Sequence, residues 1–146
     1  MNKRLTILFF VLTTLCSISY AQEGLNINKI FENPNEYDGY TDEVRIKGKA
    51  LKQYNLTFFH SLTLSGSNET ADIMESLARK DSEGAESIKE IVRGNRTMAI
   101  YCQLPPKKPS DDINRFILFR RTDDNAMLVY VEGHASLDNL VNISFK

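Results

Sequence analysis

Between Thr97 and Val131 the chain carries three apolar-rich runs that read as strands, and no other stretch limits the fold as strongly. Met98, Ile100, Cys102 and Leu104 alternate with Thr97, Ala99, Tyr101 and Gln103, which is the period of two of a half-buried strand. Phe116-Ile117-Leu118-Phe119 and Met127 to Val131 read as the next two. Pro105-Pro106-Lys107-Lys108-Pro109 must be a loop, because its prolines remove donors that a ladder needs. Thr122-Asp123-Asp124-Asn125 has the residues of a hairpin turn. Consecutive strands linked in this way form an antiparallel meander.

The rest of the chain supplies helices and one or two further strands. Leu25, Ile27, Ile30 and Phe31 predict a short helix ended by Asn33-Pro34-Asn35. Glu43-Val44-Arg45-Ile46-Lys47 alternates like a strand with one wet face. Tyr54 to Leu64 fits neither period; it reads as a buried connector with a strand near Leu62, though Phe58 and Leu62 would also suit a short helix. Ser67 or Asn68 can cap a helix beginning at Glu69, with Ile73, Met74, Leu77 and Ala78 on one stripe. Ile88, Ile91 and Val92 then suggest a second short helical face, ended by Gly94-Asn95. Ser136 caps a last short helix carrying Leu137, Leu140 and Val141.

The expected architecture is therefore α+β: about four strands, mainly antiparallel, with the helices of 69–93 packed on one face. Ile117 and Phe119 point away from Phe116 and Leu118. The central strand should thus be covered on both sides, by the N-terminal helix or by a partner chain.

Domain organisation follows from the first 21 residues. Lys3 and Arg4 precede Leu5 to Leu15, a mostly apolar stretch of 11 residues, and Ser19-Tyr20-Ala21 ends in the small residues a signal peptidase reads. Eleven helical residues rise only about 16 Å, too little to cross a bilayer core of roughly 30 Å. The reading is a signal peptide over 1–21, removed after Ala21, and one domain over 22–146 with no transmembrane segment. Lipidation at Cys16 is the less favoured alternative, because bulky Leu15 stands where that processing wants a small residue.

Cleavage removes two of 18 basic residues and none of the 19 acidic ones, so the mature net charge is −3. That balance argues against nucleic acid, whose binding domains carry a basic excess. Only Cys102 remains, so no disulfide can form within the mature chain.

Signatures of chemistry are scarce. His60 and His134 are the only histidines, and neither has a second ligand-type residue at metal-binding spacing. No metal or cofactor is expected. Cys102 shares a strand face with Met98, Ile100 and Leu104, which suits a core residue better than a nucleophile. Neither a nucleophile elbow nor a phosphate loop is present.

Charge is unevenly placed. Residues 69–90 hold seven acids against three bases, whereas 93–121 hold seven bases against two acids. One interpretation is a basic sheet face interleaved with aromatic residues, built from Tyr101, Lys107, Lys108, Arg115 and Arg120, that takes an envelope protein or an anionic glycan. The other is an acidic helix layer balanced by its own basic sheet.

Glu43 to Leu51, Tyr54 to Thr57, Gln103-Leu104-Pro105-Pro106, Asn114 to Arg120 and Tyr130 to Leu137 together resemble small exported proteins of unknown function from Bacteroides-type bacteria. The resemblance implies a periplasmic or surface location and offers no active-site residue. The expected function is an exported, non-catalytic binding module. The alternative is a small enzyme with Tyr101, His60 or His134 in a pocket between helices and sheet, and a homo-oligomer is a further possibility.

Overall fold

The computed structural model describes residues 24–108 and 110–144. The expected leader over 1–21, with Cys16, lies outside the described residues. One antiparallel sheet of six strands organises the chain: β1 (Tyr40–Lys47), β2 (Leu56–Ser65), β3 (Ser87–Arg93), β4 (Arg96–Leu104), β5 (Asn114–Arg121) and β6 (Asn125–Gly133), in the order β1-β2-β6-β5-β4-β3. The mixed α+β class agrees with the sequence reading. The strand number does not: there are six rather than about four.

Two segments account for the difference, each for its own reason. The first is β2, which runs the full length of 56–65 and pairs with both β1 and β6. A register shift between Leu56 and Phe58 places an extra residue, Thr57, in the strand. Such a bulge interrupts the side-chain alternation. Leu56 therefore packs on one face of the sheet and Phe58 on the other, although they are two residues apart. No single period could describe that segment.

The second is β3, expected as a helix. Ile88, Ile91 and Val92 have the spacing of a helical stripe but no layer to pack against, and they remain 51%, 43% and 56% exposed. β4 supplies backbone partners instead. Gly94-Asn95 makes the two-residue connection, with Gly94 at φ +63°, as the primed hairpin turns require. The dipeptide that ends a helix also closes a hairpin.

One face of the sheet is covered by helices. The helix α1 (Asn28–Glu32) and the longer α2 (Asn68–Ser82) press Ile30, Phe31, Met74 and Ala78 onto Leu62, Ile117 and Leu128. Ser67 caps α2 as expected, its Oγ accepting from Thr70 N–H at 3.1 Å. No side chain of its own caps α1. Asp81, near the end of α2, takes that part: its carboxylate accepts from Asn26 N–H at 2.8 Å and Ile27 N–H at 2.9 Å. The N–H groups of the two residues just ahead of α1 thus bind the N-terminal segment to the helix layer.

The opposite face has its own core. Tyr101, Phe116, Leu118 and Val129 lie under Leu51, from a 3-10 stretch (Lys49–Tyr54), and under Leu140 of α3 (Leu137–Ser144). The central strands are buried on both sides, as β5 led one to expect. Their cover on the second face comes from these two short elements, whereas the N-terminal helix sits with α2 on the first.

Candidate functional site

Three groups of polar side chains stand out, and each owes its place to sheet register. The first joins β1 to β2. Arg45 lies directly opposite His60, and Glu43 opposite Leu62, so Glu43 and Arg45 share the face of the histidine ring. His60 is fully buried, and its Nε2 lies 2.6 Å from Glu43 Oε1. An ionised carboxylate only accepts, so the ring donates. Arg45 is 3.6 Å from the same oxygen. The Phe31 ring packs on the imidazole at 4.3 Å between centroids, with Phe58 at 6.1 Å. Burial pulls the pKa of His60 below its ordinary 6.5; the hydrogen bond to Glu43 opposes that shift and Arg45 assists it. Beside the pair is a cleft of about 390 Å³ lined by Phe31, Glu32, Pro34, Glu43 and Arg45.

A second group gathers at the far end of β5 and β6. Arg115 Nε donates to Tyr130 Oη at 3.0 Å, and the tyrosine hydroxyl donates to Glu132 Oε1 at 2.6 Å. Lys107 Nζ reaches the same carboxylate at 3.1 Å. Burial raises the pKa of Tyr130 well above the phenolic range, so the hydroxyl keeps its proton at neutral pH.

The third group is a groove of about 610 Å³ on the second face, where β3, β4 and β5 meet α3. Its formation depends on a bulge. Ile91 pairs with Ala99 but Val92 pairs with Thr97, which leaves Met98 as the extra residue. Past that point the strand face is reset, so Thr97 bonds Glu90 and Arg79 on the helix side. Ile91, Met98, Tyr101 and Val141 line the groove together with Arg93, Arg96 and Arg120. These three arginines are exposed. Among the described residues neither Arg93 nor Arg96 forms an ion pair; Asp123, from the β5–β6 turn, is the carboxylate at the rim.

The residues expected to share one basic face do not all do so. Arg115 and Arg120 are five positions apart on β5, an odd number, and so point to opposite faces about 17 Å apart along the strand. Lys107 and Arg115 belong to the Tyr130 group, Lys108 is exposed in the loop nearby, and Arg120 belongs to the groove. Tyr101 is only 2% exposed, and burial raises its phenolic pKa.

Part of the charge asymmetry is internal balance: Arg121, 3% exposed, donates to Asp72 of α2 at 2.6 Å, and Arg79 pairs with Glu90 at 2.9 Å. Arg93 and Arg96 were legible as charges but not as a pair. Reading Gly94-Asn95 as a hairpin would have brought them together.

His134, just past the end of β6, is exposed. Cys102 is fully buried, and burial pushes its thiol up to about 11, leaving it protonated and a poor nucleophile at neutral pH. Among the described residues no three His, Cys, Asp or Glu side chains converge to hold a metal. Among them, too, no helix is long and apolar enough to cross a membrane. A model of a family of unknown function, DUF6108, matches residues 14–144. No curated protein matches the chain.

Proposed function

We propose, on the premise that this chain belongs to the DUF6108 family of unknown function, that it is an exported, non-catalytic module holding an envelope protein or another anionic envelope component. The groove under Arg93, Arg96 and Arg120 carries this reading. An apolar floor framed by guanidinium groups suits a ligand with an acidic group and an apolar body. Nothing in the balance of the whole chain favours a general polyanion binder, so recognition has to be local.

Charge reversal tests it. Arg96→Glu with Arg120→Glu should lower capture of an acidic partner from envelope extract at least tenfold, with binding in the parent weakening as salt rises. Lys107→Ser with Arg115→Ser should have a smaller effect, because those side chains already hold Glu132 and Tyr130. Equal capture by parent and Arg96/Arg120 variant would remove the groove from consideration. The export half is checked separately: Edman sequencing of the native product should begin at Gln22.

An enzymatic reading has one observation in its favour, the buried His60 held on Glu43. It needs a substrate to reach that ring. The adjoining cleft is walled by Phe31 and Glu43, and the imidazole stands behind them with no accessible surface. The binding module is the better supported of the two.

A further inference from the structure

We propose that β3 is a docking edge, to which an extended apolar segment of a partner protein, with two acidic residues four positions apart, adds as a seventh strand. The inference rests on the reading of the chain as a binding module and names how a protein partner is held.

β3 ends the sheet and pairs only with β4, so the outward N–H and C=O groups of alternate residues lack a strand neighbour. All seven residues of the strand are exposed. Three of the five large hydrophobic residues that are exposed among the described ones lie here, namely Ile88, Ile91 and Val92. Edge strands usually hide apolar residues of this kind or are too short to pair.

The β3 strand of a second copy fits this edge poorly. Two β3 strands related by a two-fold axis normal to the sheet keep their faces, so directly opposed residues must share parity. Centring the pair on Glu90 opposes Glu90 to Glu90. Moving it one way opposes Lys89 to Lys89, and moving it the other way opposes Lys89 to Arg93 twice over. Like charges directly opposite are destabilising in all three of these registers, which keep most of the strand paired.

A foreign strand can avoid this. On the second face β3 presents Lys89, Ile91 and Arg93; on the first it presents Ile88, Glu90 and Val92, with Glu90 already held by Arg79 and Thr97. The matching strand is acidic opposite Lys89 and Arg93 and apolar opposite Ile88, Ile91 and Val92. Main-chain bonds then supply affinity, and the charge pairs set register.

The probe is a hexapeptide blocked at both ends, Glu-Val-Val-Thr-Glu-Val, which in antiparallel register runs opposite Arg93 to Ile88. At millimolar concentration it should slow amide hydrogen exchange across β3 several-fold. Lys89→Glu with Arg93→Glu should abolish that protection, and the charge-swapped peptide Lys-Val-Val-Thr-Lys-Val should restore it on the variant. Unchanged exchange in β3 of the parent protein, or equal protection by both peptides, would overturn the proposal. Arg96→Glu with Arg120→Glu separates the two readings. Loss of envelope capture in that variant, with β3 unprotected by peptide in the parent, leaves the groove standing and removes the edge.

Discussion

Burial decides what the titratable residues of this protein can do. His60 has a carboxylate 2.6 Å away, which alone would favour the imidazolium; desolvation is the larger effect, and the pKa falls. In the unfolded chain His60 titrates near its ordinary 6.5, so on acidification the unfolded state takes up a proton before the folded state does. Stability from the neutral ring is full above that pH, and it declines as pH falls from about 6.5 through the lower folded pKa. His60→Gln, which removes the titration, should flatten thermal midpoint against pH between 7 and 5 (roughly the histidine window). Parallel curves for parent and variant would contradict this account. Asp81 shows the same economy of charge: one carboxylate closes the start of α1, and it also helps to keep the Cys102 thiol protonated.

At the level of elements, the edges and bulges of the sheet explain most of what is unusual. Thr57 and Met98 are each an extra residue in a strand, and each turns neighbouring side chains onto a new face. The Met98 bulge assembles the basic groove. The Thr57 bulge lies where β2 meets the end of β6. There a Cβ at Gly133 would come within 2.6 Å of Leu56 Cα, so only glycine allows the approach. Charge guards the outer edge of β3. Glu90 is the one residue whose like-charge contact forbids the centred self-pairing, which otherwise sets Ile88 against Val92. Glu90→Thr should therefore give concentration-dependent self-association in sedimentation velocity that the parent lacks. A variant with the parent's sedimentation at every concentration would show that the charge has no such role.

For the molecule as a whole, the consequence of a two-faced sheet is that small elements carry large responsibility. α2 covers much of the first face, but the second depends on Leu51 and on α3, where Leu140 is 2% exposed. Burying a leucine is worth about 1.5–3 kcal/mol. Ending the chain at Ser136 should uncover Phe116, Leu118 and Val129, lower the thermal midpoint and produce aggregates visible by light scattering. A truncated chain as stable and monodisperse as the parent would mean that the second core supports itself. The charge asymmetry also acts at this scale. Arg121–Asp72 and Arg79–Glu90 balance helix layer against sheet, and Arg93 and Arg96 of the groove take no part in those two pairs.

Local rules were sufficient for the α+β class, the capped helix from Ser67, the hairpin at 122–125 and the core role of Cys102, because each rests on neighbours within a few residues. Tertiary structure alone decided the rest. Residues 87–93 have a helix-like stripe and became a strand because β4 had a free edge and no apolar layer lay above them. Residues 56–65 became a long strand because a bulge let one segment serve two cores. His60 met Glu43, and Arg93 and Arg96 met Arg120, only through strand register. Register is set by pairing between distant segments, and no spacing along the chain records it.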